Sequence, residues 1–234
     1  EDSILLWNEV LEIRGEDQNA LVALEGLYQA AESWRELVEM CQRQIDLLED
    51  DTEREVQLYA KLGRVWGDFL DRPENGIANW KEVRARQPQN DEALWALREL
   101  HERIDEFEAL AEVNHALLDL MDPADERRLE LYRQLGRLYQ ETLERPADAI
   151  TAWTSLIATA THDAEAIDAL EELYSDQEDW QNLNAILDRK VEIVEDGFER
   201  VSILFRIGET AEEKLEDPDG AASAFARVLE VQPD

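Results

Sequence analysis

One cysteine and three histidines are the only thiol and imidazole side chains in this chain of 234 residues. A zinc site needs such groups clustered at short, regular spacings. His101, His115 and His162 stand apart, and Cys41 has no neighbour of its kind. A single cysteine also excludes an intramolecular disulfide, and with it a disulfide-stapled secreted scaffold. The acidic strings Glu195-Asp196-Gly197 and Glu216-Asp217-Pro218-Asp219-Gly220 lack the twelve-residue calcium-loop pattern and read as turns. No glycine-rich phosphate loop, GxSxG elbow or HExxH pair is present. Paired carboxylates could serve as acid and base, but among 57 Asp and Glu residues adjacent acids are expected by chance. The chain is read as non-enzymatic, with no cofactor and no metal.

Seven tryptophans could build a ligand cage. Their spacing argues otherwise, because the chain repeats itself. Trp7, Trp80, Trp153 and Phe225 are 73, 73 and 72 residues apart, and Trp34, Phe107 and Trp180 recur at 73 and 73. Gly63, Gly136 and Gly208 share the register, as do Pro73, Pro146 and Pro218. Repetition at such a period points to a stacked array whose extended surface binds other molecules. Trp7, Trp34, Trp66, Trp80, Trp153 and Trp180 sit at phases where copies carry Trp, Phe or Tyr, and are read as core. Trp95 differs: its equivalents are Val22 and Asp168, so the repeat does not require an aromatic there. His101 shares a phase with Tyr28 and Tyr174 and reads as a core substitute, and Cys41 reads as inert.

The elements that must position these residues are helices. Val56, Leu58, Tyr59, Leu62, Val65, Trp66 and Phe69 form one stripe with steps of three and four. Thr52 with Glu55 and Ser33 with Glu36 read as capping boxes. Asp17, Asn90 and Asp163 read as N-caps, and Pro73, Pro146 and Pro218 suit the first helical position. The first full repeat is expected to hold helices at roughly 18–31, 33–49, 52–70 and 74–87, joined by connections short enough to make neighbours antiparallel. The expected organisation is a single array, a fragment of a longer one. Residues 1–14 form an orphan second helix, in phase with 77–86 and 150–159. Residues 17–88, 89–161 and 162–233 form four-helix double repeats. Both cut ends should expose apolar surface and allow weak self-association.

Three segments carry a family resemblance: LYAKLGRVWGDFLDRPENGIANWKEVRARQP, LYRQLGRLYQETLERPADAITAWTSL and LFRIGETAEEKLEDPDGAASAFARVLEVQP. Each has the LG or IG pair, a small residue (Gly76, Ala149, Ala221) and a later aromatic (Trp80, Trp153, Phe225), with closing prolines at Pro88 and Pro233. This resembles the tetratricopeptide repeat. The intervening hairpins are degenerate, since Glu25, Arg98 and Glu171 take the glycine position. The alternation is similar to long repeat arrays of myxobacterial and related bacterial proteins. The resemblance implies an all-α fold, an α-solenoid (right-handed superhelix) of antiparallel helix hairpins with about 13 helices. It also implies that the first helix of each hairpin lines a concave face. Carried onto this sequence, that face holds Arg64, Trp95, Glu99, Glu102, Arg133 and Arg137 in the middle. Toward the C-terminus it holds Glu165, Asp168, Glu172, Asp176, Glu209, Glu212 and Glu213. The Lys- and Asn-rich clamp for C-terminal carboxylates used by some members is absent.

Charge narrows the partner. Net charge is −34, with 19 Arg and only four Lys among the cations. Such a field repels nucleic acid and anionic lipid and attracts basic partners. No apolar run reaches transmembrane length and no signal peptide is present, so no direct membrane insertion is expected. The compartment is left open for a soluble protein, with the cytoplasm slightly favoured over the periplasm. The reading is a scaffold that binds a basic or amphipathic segment of a partner protein in an acidic groove. A structural spacer and a regulatory arm of a larger enzyme are the alternatives. Self-repulsion should also make stability depend on salt, because screening shortens charge repulsion to about 8 Å at physiological ionic strength. The melting temperature, followed by circular dichroism, should rise from low to moderate NaCl; a flat response would mean that the acids are locally paired or well spread.

Overall fold

The computed structural model describes residues 2–49 and 51–232. Pro233, one of the expected closing prolines, lies outside them. The described residues form thirteen α-helices and no strand, an all-α solenoid of antiparallel hairpins. None of these helices is long and apolar enough to cross a membrane. The chain divides into two compact units, Glu1–Met121 and Asp122–Asp234.

The first unit contains α1 (Asp2–Arg14), α2 (Gln18–Ala30), α3 (Trp34–Leu47), α4 (Thr52–Arg64), α5 (Pro73–Arg86), α6 (Asp91–Arg103) and α7 (Phe107–Leu120). The second contains α8 (Arg127–Arg137), α9 (Pro146–Thr159), α10 (Ala164–Asp176), α11 (Trp180–Ile193), α12 (Gly197–Glu213) and α13 (Pro218–Val231). The helices start where local chemistry places them. Asp17, Asn90 and Asp163 accept the backbone N–H groups of Ala20, Ala93 and Ala166 at 3.0, 2.9 and 3.0 Å. Prolines open α5, α9 and α13, where the missing N–H has no helical partner to lose. Neither capping box forms. Asp51, not Thr52, caps α4 by accepting from Arg54, because its carboxylate reaches the third N–H from outside the helix. Ser33 occupies the cap position of α3 without a side-chain bond.

The expected helix over 52–70 is interrupted. After Arg64 the chain widens into a π-helical turn at Val65–Phe69, and a matching turn follows α8 at Leu138–Thr142. Leu70 and Leu143 donate to Val65 and Leu138, five residues back, at 3.0 and 2.9 Å. The C-terminal end of α12 carries the same kind of bond, from Leu215 to Thr210. In all six hairpin turns one acidic residue adopts a left-handed backbone: Glu32, Asp71, Asp105, Glu144, Glu178 and Glu216, with φ between 50 and 58°. This conformation reverses the chain within about four residues.

Packing explains the repeated glycines. A Cβ on Gly63 would stand 2.6 Å from the Trp80 indole, and one on Gly208 would stand 2.5 Å from the Phe225 ring. Gly136 meets Trp153 in the same way. Trp80 and Trp153 are the largest fully buried side chains, 2% and 1% exposed. The core reading therefore holds completely for these two. Trp7, Trp34, Trp66 and Trp180 are half-buried, and Trp34 stacks on Phe69 at 4.0 Å. Cys41 is fully buried, and burial pushes its thiol up to about 12, so it is inert. His101 is also buried; burial holds its imidazole below the usual value, against the opposing pull of Glu106.

Two glycines separate packing from helix propensity. Gly26 on α2 has open space where a side chain would go. Gly26→Ala should stabilise the chain by up to about 1 kcal/mol, the helical advantage of alanine. Gly136→Ala should destabilise it by about 1–3 kcal/mol, because the overpacked Trp153 ring must move. Urea unfolding of the two variants measures the difference, and equal shifts would remove the close-approach explanation.

Candidate protein-binding surface

The first helices of the hairpins are α2, α4 and α6 in one unit and α8, α10 and α12 in the other. Their ion pairs decide which of the expected surface residues are available. Arg64 on α4 reaches Glu92 in the first turn of α6, its Nε donating at 2.9 Å. Arg137 on α8 repeats this contact with Glu165 on α10, its Nη2 donating at 2.7 Å. Arg133 donates to Asp163 at 2.6 Å and to Glu130 at 2.7 Å, and lies 3.3 Å from Glu165. Asp163 thus caps α10 and anchors Arg133 at once. Hydrogen bonds to Asp163 and Glu165 raise the pKa values of Arg133 and Arg137 above the usual arginine range. All three arginines of the expected surface join consecutive first helices.

The acids fall into two groups. Glu102 pairs with Arg98 on its own helix at 3.4 Å, and Asp168 pairs with Lys190 at 2.6 Å. Glu172 accepts from Gln140 at 2.9 Å, while the other end of that amide accepts from the Trp153 indole. Glu99, Asp176, Glu209, Glu212 and Glu213 are exposed, and no ion pair or side-chain hydrogen bond engages them among the described residues. Arg64, Trp95 and Glu99 come together in one groove of about 630 Å³. Asp168, Glu172 and Asp176 line a smaller one of about 360 Å³ in the second unit. Glu209, Glu212 and Glu213 lie on the last two turns of α12, outside both lining sets. Trp95 is half-buried; its Nε1–H donates to Asp91 at 3.1 Å and Arg98 lies 5.9 Å from its ring centroid.

The degenerate glycine positions hold an arrangement that sequence reasoning missed. Glu25 is only 4% exposed. It accepts from Gln44 on α3 at 2.8 Å, from Arg54 on α4 at 2.6 Å, and from Lys61 on α4. Glu171 repeats the motif with Lys190 on α11 at 2.8 Å and with Arg206 on α12. Burial alone would push both carboxyls up; the cations and amide outweigh it and hold both below the usual carboxylate range. Lys190 shows the reciprocal balance: burial disfavours its charge, but Asp168 and Glu171 raise its pKa. One carboxylate therefore ties three consecutive helices together. The available signal was a charged residue on an otherwise apolar helical stripe, which must find partners once buried.

Two sequence comparisons bear on the fold. Residues 20–55 and residues 203–234 each match a sequence model of the tetratricopeptide repeat. Both segments are thus identified as tetratricopeptide repeats. No curated protein matches. Among solved structures, MamA is 23% identical over 77% of this chain and 93% of its own, with a TM-score of 0.43. YrrB, described as a tetratricopeptide repeat protein with an unusual peptide-binding site, is 15% identical over 84% and 94%, with a TM-score of 0.41. The C-terminal part of a repeat protein from Cytophaga hutchinsonii is 9% identical over 98% and 89%, with a TM-score of 0.44. These matches support a protein-interaction scaffold in general terms; tetratricopeptide repeat proteins are generally non-catalytic scaffolds.

The three-helix tie gives a stability prediction. Glu25→Ala strands the buried Gln44 amide and should cost about 1–3 kcal/mol. The middle copy carries Leu117 at the phase of Gln44. A Glu25→Leu, Gln44→Leu double variant fills the site with apolar volume and should recover most of the loss, because buried ion pairs exchange for well-packed apolar groups at little net cost. Chemical denaturation of the three proteins reads this directly.

Proposed function

We propose that this chain is a non-catalytic scaffold that docks a basic or amphipathic segment of a partner protein against its first-helix surfaces. The carrying observation is the imbalance left after ion pairing. The arginines on the expected surface are engaged by carboxylates of the same unit, whereas Glu99, Asp176, Glu209, Glu212 and Glu213 are exposed with no such partner among the described residues. The remaining charge on these helices is therefore anionic, which steers a cationic segment toward them and sets its orientation. Trp95 supplies a large, partly buried aromatic on the first unit's share of these helices, the kind of residue that dominates binding energy at protein interfaces. Leu5, Leu6 and Ile13 on α1, with Phe198 and Leu229 in the second unit, are exposed apolar side chains that support weak self-association as an additional contact.

Trp95→Ala and Glu172→Lys test the reading separately and together. Against a partner captured from the source cell and purified, Trp95→Ala should weaken binding by about 2 kcal/mol or more, the range of an interface hot spot. Glu172→Lys should mainly slow association and reduce its salt dependence. Surface plasmon resonance at two ionic strengths reads both, and affinity untouched by either change would end the groove reading. Sedimentation of the chain alone over a range of concentrations reports self-association.

A further inference from the structure

We propose that His101 is an acid-sensitive latch on the turn between α6 and α7, which holds this hairpin closed at neutral pH and loosens it in mild acid. The device lies within the first unit and does not depend on the scaffold reading.

The latch is a matter of geometry. At this turn Asp105 takes the left-handed backbone, and Glu106, the residue before α7, is gripped twice by His101. The His101 carbonyl accepts from the Glu106 N–H at 3.0 Å, and the imidazole Nδ1 lies 2.7 Å from the Glu106 carboxylate. The same main-chain bond closes the equivalent turns, from Ser33 to Tyr28 and from Asp179 to Tyr174, at 2.9 Å each. The side-chain bond has no counterpart there. Asp179 instead caps α11, accepting from the Asn182 N–H at 3.2 Å, and Ser33 caps α3 without a side-chain bond. Imidazole is the side chain that ordinarily changes charge between about pH 5 and 8, and a phenol does not. At this phase the middle copy therefore carries a group that can gain charge in mild acid, where the other two carry tyrosine. The other histidines, His115 and His162, are exposed.

The added proton has a defined place. With Glu106 as acceptor the neutral ring keeps its hydrogen on Nδ1, so a second proton goes to Nε2. His101 is 1% exposed, and no acceptor meets Nε2 among the described residues. The flanking helices pull in opposite directions. Lys81 on α5 repels the added charge; it stands at the phase from which Asn8 donates to the Tyr28 hydroxyl at 3.1 Å. Glu106 and Glu112 attract it, but both are exposed and act largely through solvent. On α6 itself Arg98 and Glu102 face each other at 3.4 Å. An imidazolium here would give up its hydration for one solvent-screened carboxylate, and burial outweighs the two acids. The open hairpin has no such restraint and takes up the proton first. The stability that His101 contributes is thus complete above the ordinary imidazole value of about 6.5, and is lost as pH falls below it.

Native-state hydrogen exchange tests this, read by mass spectrometry at constant ionic strength with intrinsic rates divided out. From about pH 7.5 to about pH 5.5, protection of the α6–α7 amides should fall by at least about threefold and at most about tenfold, the linkage of one proton. The α10–α11 hairpin, built alike around Tyr174, should change by less than about twofold and is the control within the same molecule. His101→Tyr, which installs the residue of the other copies, should remove the response of α6–α7. Glu106→Gln keeps an acceptor for Nδ1–H while removing a charge that favours the proton, and should retain the response. The His101 ring C–H resonance of the parent should titrate with a midpoint below about 6.5. A smaller loss of protection at α6–α7, equal losses in both hairpins, an undiminished response in His101→Tyr, its disappearance in Glu106→Gln, or a midpoint at or above about 6.5 would each overturn the proposal. Should His101→Tyr fail to fold, the two hairpins of the parent and the ring titration decide.

Discussion

A glycine beneath an aromatic ring sets the spacing of alternate hairpins. Gly63, Gly136 and Gly208 each leave the space that Trp80, Trp153 and Phe225 fill. Without a Cβ at that point, two helices approach closely enough for a whole ring to serve as the contact, and burial of that ring supplies much of the hairpin's apolar stabilisation. The small residues opposite, Gly76, Ala149 and Ala221, are all buried and belong to the same constraint. Helix spacing in turn fixes where the first-helix side chains stand.

The hairpins between them solve the same problem with charge. Where the glycine phase carries Glu25 or Glu171, a carboxylate draws a side chain from the second helix of its own hairpin and another from the first helix of the next. A shape constraint alternates with an electrostatic one. Buried charge pairs contribute little net stability but are sensitive to geometry, so this arrangement specifies which helices meet more than how tightly they hold. The pairs Arg64–Glu92 and Arg137–Glu165 add a second, more exposed link between successive first helices. The proposed binding surface is thus what remains after the repeat has used its charges internally.

Much of the fold was legible in the sequence because its determinants are local. Helical periodicity, the caps Asp17, Asn90 and Asp163, and the opening prolines each act within a single turn. The departures were local too, but depended on geometry below the level of pattern. Asp51 reaches an N–H that Thr52, already helical, cannot cap, and the widening at Val65–Phe69 leaves the apolar stripe almost unchanged. At the surface, comparison between copies isolated Trp95, since a residue the repeat does not need stands out against those it does. The pairing of Arg64, Arg133 and Arg137 was not legible, because their partners lie about 30 residues away across a hairpin.

The six hairpin turns put an acid where glycine would meet the least resistance. Each of these side chains is exposed at a reversal of the chain. A glycine there would be easier in the folded state, but it would enlarge the freedom of the unfolded chain and leave the turn uncharged. With Asp or Glu in place, every hairpin carries its own colloidal protection. The repeat can therefore be lengthened or shortened by whole hairpins without creating a neutral edge, and solubility scales with the number of modules instead of depending on any one of them.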